Sequence, residues 1–415
     1  MKSALLLAAL LAGAPRAFAE TEPLTWDRVE ALAAQENPDL ASSRFSLESS
    51  RASFYQSFNS VMPQVNLSNA LNEAKVMPAN RWTAQATASM NFFDMSSIAS
   101  IRAASANLSL GEANLRRTSA DLRQNVRTAF THLLFAQESL KVARLVSALR
   151  DRAGGMIGLR YDSGTAAKGD KMLADAQSLQ ARLSIVAAER DVRAAQRELG
   201  QRLGREDYED FVASGTLGAA APPARPEDLR SLLALIPEIQ VSQAQVRQAG
   251  VGVAQAESSL WPTLTGDYAR SVAGPKEFPR SAYGWNAALT LSYPLFGAGP
   301  TSTWFGVKSA KRALDAARMN LVSARVAGLE SLESAWAAYA DAVDQVEVQN
   351  ALLAADRQRN DEADVEYASG LLIYANWEQI ASTRITAESQ RISALRNAMD
   401  AETSWNRALG RALGE

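Results

Sequence analysis

The 415-residue chain predicts a mainly α-helical protein with a minor β component, built as two copies of one unit. Each copy carries a pair of β-strands and a pair of long antiparallel coiled-coil helices. Three observations lead there: motifs recurring at a fixed offset, long stretches without proline, and segments in which apolar and polar residues alternate singly.

The duplication comes first. Asn37-Pro38-Asp39-Leu40 recurs as Ile236-Pro237-Glu238-Ile239, and Val61-Met62-Pro63 as Leu260-Trp261-Pro262, both 199 residues on. Arg160-Tyr161-Asp162-Ser163-Gly164 recurs as Glu366-Tyr367-Ala368-Ser369-Gly370, and Arg202-Leu203-Gly204 as Ala408-Leu409-Gly410, both 206 on. A constant offset that slips once marks a duplication with one change of length. The Gly-, Ala- and Pro-rich stretch 215–226 reads as the linker between a first repeat at 20–214 and a second at 227–415.

Residues 1–19 have the form of a secretory signal: Lys2, the apolar run Leu5 to Leu11, and the small-x-small site Ala17-Phe18-Ala19. The run is too short for a membrane-spanning helix, which takes roughly 20 residues. Cleavage there leaves 41 basic and 45 acidic residues, a net charge of −4, and no Cys to carry a lipid. No later apolar run reaches spanning length, so any crossing of a membrane falls to strands.

A helical opening follows at Trp26–Val61, then a strand pair at about 64–93 and a long helix pair at about 96–204. The second repeat has its strand pair at about 263–295 and its helix pair at about 301–413. Proline costs about 3 kcal/mol inside a helix, and none occurs between Pro78 and Pro222 or after Pro300. Unbroken helix is therefore permitted, and Ser96–Ala153 alone would run about 85 Å. Leu122, Val126, Ala129, Leu133, Ala136, Leu140 and Ala143 alternate spacings of four and three, the coiled-coil seam. Leu332, Ala335, Tyr339, Ala342, Val346, Gln349 and Leu353 repeat it.

The strands decide the class. In Arg81–Phe93, Trp82, Ala84, Ala86, Ala88, Met90 and Phe92 share one face, and Thr83, Gln85, Thr87, Ser89 and Asn91 the other. Tyr283, Trp285, Ala287, Leu289, Leu291 and Tyr293 alternate likewise with Gly284, Asn286, Ala288, Thr290 and Ser292. Weaker strands precede each, at Val65–Ala74 and Leu264–Ala273, joined through Pro78-Ala79-Asn80 and Gly274–Ser281. A soluble hairpin half-buried on helices would alternate too. Two such hairpins on an exported chain, with aromatics at the ends of an apolar band and small uncharged groups opposite, favour outer-membrane strands. Trp82, Met90, Phe92, Tyr283, Trp285, Leu289, Leu291 and Tyr293 would then face lipid. Four strands cannot close a barrel, and open edges are excluded from lipid, so chains must associate. Two chains would give a filled barrel of about eight strands; three would give about twelve, wide enough for a pore.

Composition closes off other chemistry. With no Cys and one histidine, His132, neither disulfides, thiolate sites nor a multi-histidine metal centre can form. A net charge of −2 gives no general reason to bind nucleic acid. No GxSxG, HExxH or phosphate loop stands in a suitable context, so no catalytic residue, metal or cofactor is expected. His132 reads as a structural or surface histidine on the seam-bearing helix.

Together these features resemble the TolC family of outer-membrane efflux channels, over essentially the whole mature chain. The marks are Leu24-Thr25-Trp26 followed by Asn37-Pro38, then Met62-Pro63 and Trp261-Pro262 at helix-to-strand entry. Tyr293-Pro294-Leu295-Phe296-Gly297 stands at the strand-to-helix exit, and Tyr161-x-x-Gly164 matches Tyr367-x-x-Gly370. The resemblance implies a homotrimer with a twelve-stranded barrel in the outer membrane of a Gram-negative bacterium. It further implies a helical barrel extending into the periplasm, docking an adaptor protein and through it an inner-membrane transporter.

By the same resemblance Gly164, Thr165, Gly370, Leu371 and Leu372 lie at periplasmic hairpin tips that meet the adaptor. Asp162-Ser163-Gly164-Thr165 and Ser369-Gly370 are turn residues on their own terms. Gate candidates are Asp170, Asn376, Glu378 and Gln379. Drug-efflux members place acids six and nine residues after the second-repeat glycine; here those positions are Asn376 and Gln379, with Glu378 between. Leu372 stands where a basic partner would, and Asp170 stands six after Gly164. Asp170 reads equally as a helix N-terminal acid. A periplasmic coiled-coil adaptor or rod is the competing class, needing long helices and export but neither hairpins nor duplication. Drugs, metal ions and secreted proteins all remain open as cargo.

Overall fold

The computed structural model describes residues 23–72, 81–207, 210–274, 276–279, 283–294 and 299–414. The signal at 1–19, the loop 78–80 and Leu295 to Gly297 lie outside the described residues. The order is α1 (Trp26–Glu36), α2 (Pro38–Ser57), β1 (Gln64–Asn72), β2 (Arg81–Phe93), α3 (Met95–Asp162) and α4 (Lys168–Leu203). Then come α5 (Leu229–Leu232), α6 (Pro237–Ser258), β3 (Thr263–Gly274), β4 (Tyr283–Ser292), α7 (Pro300–Ala368) and α8 (Tyr374–Ala408). No helix among the described residues is long and apolar enough to cross a membrane.

The helical opening is two helices rather than one. Pro38 removes a backbone donor and restricts Asn37, which leaves the helical conformation at φ −68°, ψ 123°. Asn37 Oδ1 then caps α2 by accepting from the amides of Asp39 and Leu40 at 2.9 and 3.0 Å.

Two compact units emerge, and each draws on both repeats. One gathers residues up to Leu32, Val126–Gly218 and Val346–Arg396; the other gathers Ala33–Asn125, Ala219–Gln345 and Asn397–Glu415. In the first unit α4 buries alanine at every seventh position: Ala174, Ala181, Ala188 and Ala195. A heptad of small residues lets partner helices approach closely and supercoil. Val126, Ala129, Leu133 and Ala136 of the expected seam are buried as well, while Leu140 and Ala143 are half-buried. His132 pairs with Glu198 of α4 at 2.6 Å and is about one-third exposed, at 35%.

In the second unit α3 buries Ala99, Ala106, Ala113 and Ala120, again seven apart. Its core joins Ile236, Ile239, Leu332, Tyr339 and Trp405. The stretch expected as a linker is tied down over 219–226. Ala220 and Pro223 carbonyls accept from Tyr339 Oη at 2.7 Å and Trp336 Nε1 at 3.1 Å, and Arg225 pairs with Glu333 at 2.9 Å. Extended Pro-rich backbone has carbonyls to satisfy, and α7 supplies the donors.

Gly410 closes α8 at φ +76°, where a Cβ would lie 2.5 Å from the Leu235 carbonyl oxygen and 2.7 Å from Pro237 Cδ. Gly410→Ala is therefore expected to cost about 2–4 kcal/mol from the left-handed backbone and overlap together. Circular-dichroism melting checks it.

Arg407 joins three helices of this unit, pairing with Asp121 of α3 at 2.6 Å and with Glu238 of α6. Burial raises the Glu238 pKa, but the Arg407 hydrogen bond and charge outweigh it and hold the carboxyl below its ordinary value. A depressed carboxyl pKa contributes stability above the unfolded-state value, and that stability is lost as pH falls through the folded-state value. The wild-type melting temperature is thus expected to drop below about pH 4, with a smaller acid-induced drop in Glu238→Gln.

Candidate functional site

Two features carry the chemistry of the fold: a sheet in the second unit and paired helix turns in the first. The sheet runs β1-β2-β3-β4, all antiparallel. Cross-strand partners share a face, so the register assigns every position. One face stacks Val65, Ala88, Tyr268 and Ala287 in a rung, then Leu67, Ala86, Arg270 and Trp285, then Asn69, Ala84, Val272 and Tyr283. Leu264 with Leu291, and Met90 with Gly266 and Leu289, lie below; Leu71, Trp82 and Gly274 lie above. The other face carries Gln64, Ser89, Asp267 and Ala288, then Asn66, Thr87, Ala269 and Asn286, then Ser68, Gln85, Ser271 and Gly284. Four strands thus divide into one apolar and one polar face.

The expected apolar residues Trp82, Met90, Tyr283, Trp285, Leu289 and Leu291 all fall on the first face. Trp285, Leu289 and Leu291 are 73%, 68% and 70% exposed. Phe92 stands at a bulge, where the register shifts between Asn91 and Phe93, and its ring stays on the face of Met90 and Gly266. The bulge swings the ring over Gly266, whose missing Cβ makes room for it. Tyr293 lies one residue past β4 and is exposed. Neither β1 nor β4 has an outer partner among the described residues, and β4 is exposed along its whole length.

The turns are built twice on one plan. Gly164 has φ +78° and Gly370 φ +81°. Thr165 and Leu371 amides bond back to the Arg160 and Glu366 carbonyls at 2.8 and 2.9 Å, while Gly164 and Gly370 bond to Tyr161 and Tyr367. This closes each helix with a left-handed glycine. Each tyrosine lies under a cation: Lys171 Nζ is 5.4 Å from the Tyr161 ring, and Arg160 Cζ is 4.1 Å from the Tyr367 ring. Arg160 also donates to the Tyr367 carbonyl at 2.5 Å, so α3 caps the end of α7.

The repeats diverge beside these turns. Where the first has Lys171, the second has Trp377, stacked on Tyr367 at 5.0 Å and donating from Nε1 to Asp364 at 2.6 Å. Leu372 packs half-buried against a core of Ile157, Ala174, Ala363, Tyr367 and Trp377. Gly164, Thr165 and Gly370 are exposed, and Leu371 is 82% exposed.

The four gate candidates do not form one cluster. Asn376 and Gln379 are exposed on α8, and Asp170 is half-buried in the first turn of α4. Glu378 turns into the helix packing. Its Oε1 accepts from Gln177 Nε2 at 2.9 Å and Ser382 Oγ at 2.6 Å, and faces Arg150 at 3.4 Å. Arg150, 13% exposed, also donates to Gln177 at 3.1 Å and Ser382 at 2.8 Å. α3, α4 and α8 are thereby joined by one polar network. Burial first, then the charges of Glu378 and Asp170, raises the Tyr374 pKa, with Arg150 opposing. Sequence reasoning missed Arg150, Gln177, Ser382 and Arg160. An arginine on a long helix carries no mark of a buried partner.

Residues 30–205 and 229–414 match the model of the family described as outer membrane efflux protein, and the chain belongs to that family. It is a channel of the outer membrane and not an enzyme. It is 24% identical over 394 residues to the cobalt-zinc-cadmium resistance protein CzcC of Cupriavidus metallidurans, covering 94% of this chain and 90% of that protein. Its fold superposes on crystal structures of CusC with a TM-score of 0.84 at 17% identity, over 92% of this chain and 91% of the other. The open-state MtrE outer membrane channel of Neisseria gonorrhoeae gives 0.82 at 17% identity, over 94% and 89%.

Proposed function

We propose that three copies of this chain close a twelve-stranded barrel, forming the exit duct of a tripartite pump that expels divalent transition-metal cations. The observation that carries the duct is the two-faced sheet whose outer strands, β1 and β4, have no further partner among the described residues. Lipid excludes open backbone edges, and an apolar outside with a polar inside is what a water-filled barrel needs. β4 of one copy pairs with β1 of the next until the ring closes. The first repeat at 20–214 and the second at 227–415 then contribute equivalent staves to a helical barrel reaching into the periplasm.

The turns at Gly164–Thr165 and Gly370–Leu372 are the surfaces offered to a periplasmic adaptor, through which an inner-membrane transporter supplies the energy. Asp170, Asn376 and Gln379 stand where threefold symmetry would gather them around one axis. Glu378 acts there through its packing with Arg150. Metal cations are favoured as cargo by the similarity to CzcC along nearly the whole length of both chains.

Two measurements test this. Planar-bilayer recordings of the purified protein should show channels whose conductance changes in Asp170→Ala/Asn376→Ala. Unchanged conductance and cation block would remove the gate assignment. A strain lacking the chain should become sensitive to cobalt, zinc and cadmium; sensitivity to hydrophobic drugs alone would exchange the cargo.

A further inference from the structure

Among the described side chains on the apolar face of the sheet, Arg270 is the single charge. It stands on the fourth rung of six, counted from the end where the strands join helices. Rungs are about 5 Å apart along the membrane normal for a strand tilted about 45°. Six of them match an apolar band about 25 Å tall. Arg270 therefore lies about 10 Å below the far rim, a distance that a long side chain shortens by reaching upward.

The side chain does reach that way. Its guanidinium carbon is 5.9 Å from the Tyr283 ring, one rung higher on the neighbouring strand. Trp285 lies directly across from Arg270 in the register. Arg270 is exposed, and no carboxylate pairs with it among the described residues. The polar Asn69 sits on the same rung as Tyr283, and its Oδ1 is buried without a hydrogen-bond partner.

We propose that Arg270, backed by Tyr283 and Trp285, binds a phosphate on the headgroup of an outer-leaflet lipid. The inference rests on the reading of this face as lipid-facing. A cation there needs an anion, the described residues supply none, and a planar guanidinium matches phosphate oxygens two at a time. A phosphorylated headgroup at the rim meets it from above.

The test uses the purified oligomer in native mass spectrometry with lipid A and with the same lipid stripped of phosphate. The wild type should prefer the phosphorylated form by about tenfold, Arg270→Gln should lose the preference, and Arg270→Lys should keep part of it. Equal preference in the wild type and Arg270→Gln, or none in the wild type, overturns the proposal. A spin label at Ala287→Cys separates this from failure of the underlying reading. Accessibility to lipid-dissolved oxygen keeps the face in the membrane, so that a negative binding result sinks the phosphate site alone. An oxygen-inaccessible label overturns both.

Discussion

Ala287→Arg is expected to impair assembly into membranes, whereas Ala288→Arg, one residue along β4, is expected to insert and change conductance. The two positions carry the same residue, both exposed, in the same strand. Only the face differs: Ala287 pairs with Tyr268 on the apolar side, and Ala288 with Asp267 on the polar side. An arginine on the lipid face near the bilayer midplane costs about 2–4 kcal/mol. In a trimer the cost falls three times on one assembly event, on the order of 6–12 kcal/mol. On the polar face the same side chain meets water and faces Asp267. Heat-modifiable mobility in gels and outer-membrane fractionation read the first variant; single-channel recording reads the second.

Arg150→Ala is expected to loosen the helix turns without unfolding the chain. Removing it leaves the Glu378 carboxylate, 19% exposed, with only Gln177 and Ser382 as donors. Stranding a buried charge costs about 3–5 kcal/mol, and the two remaining donors place this case near the lower end. About 3 kcal/mol corresponds to roughly a hundredfold faster amide exchange if the segment opens locally, so residues 374–382 should show it. Open-channel probability should rise with it. Glu378→Gln in the same background should restore much of the protection, because a neutral amide needs no counter-ion. A double-mutant cycle with no coupling between the two positions would contradict the network.

The parts of the fold that were legible in the sequence are those with a short period. Single-residue alternation in Arg81–Phe93 and Tyr283–Ser292 is written in the chain, and so are the heptads and the turn glycines Gly164 and Gly370. Partners brought together by packing were not legible. Glu378 and Arg150 are 228 residues apart and meet only when α3, α4 and α8 assemble. For that reason the packing of the Glu378 carboxylate against Gln177, Ser382 and Arg150 was not visible in the chain. Arg270 was hidden differently. It lies in a strand whose own alternation is weak, and only the registers with β2 and β4 place it on the apolar face. Composition alone marked 215–226 as a linker, and the hydrogen bonds from Tyr339 and Trp336 became visible only beside α7. The bulge at Phe92 had one mark in the sequence, Gly266, which acquires meaning only in the register.

A sheet with lipid on one face and water on the other can be measured directly. The chain contains no cysteine, so single substitutions need no background to be cleared. Cysteines placed one at a time from Gly284 to Leu291, in protein reconstituted into liposomes, would be treated with a membrane-impermeant thiol reagent. Gly284, Asn286, Ala288 and Thr290 should react, while Trp285, Ala287, Leu289 and Leu291 should not. Reaction at every position, or with the two sets exchanged, would contradict the account.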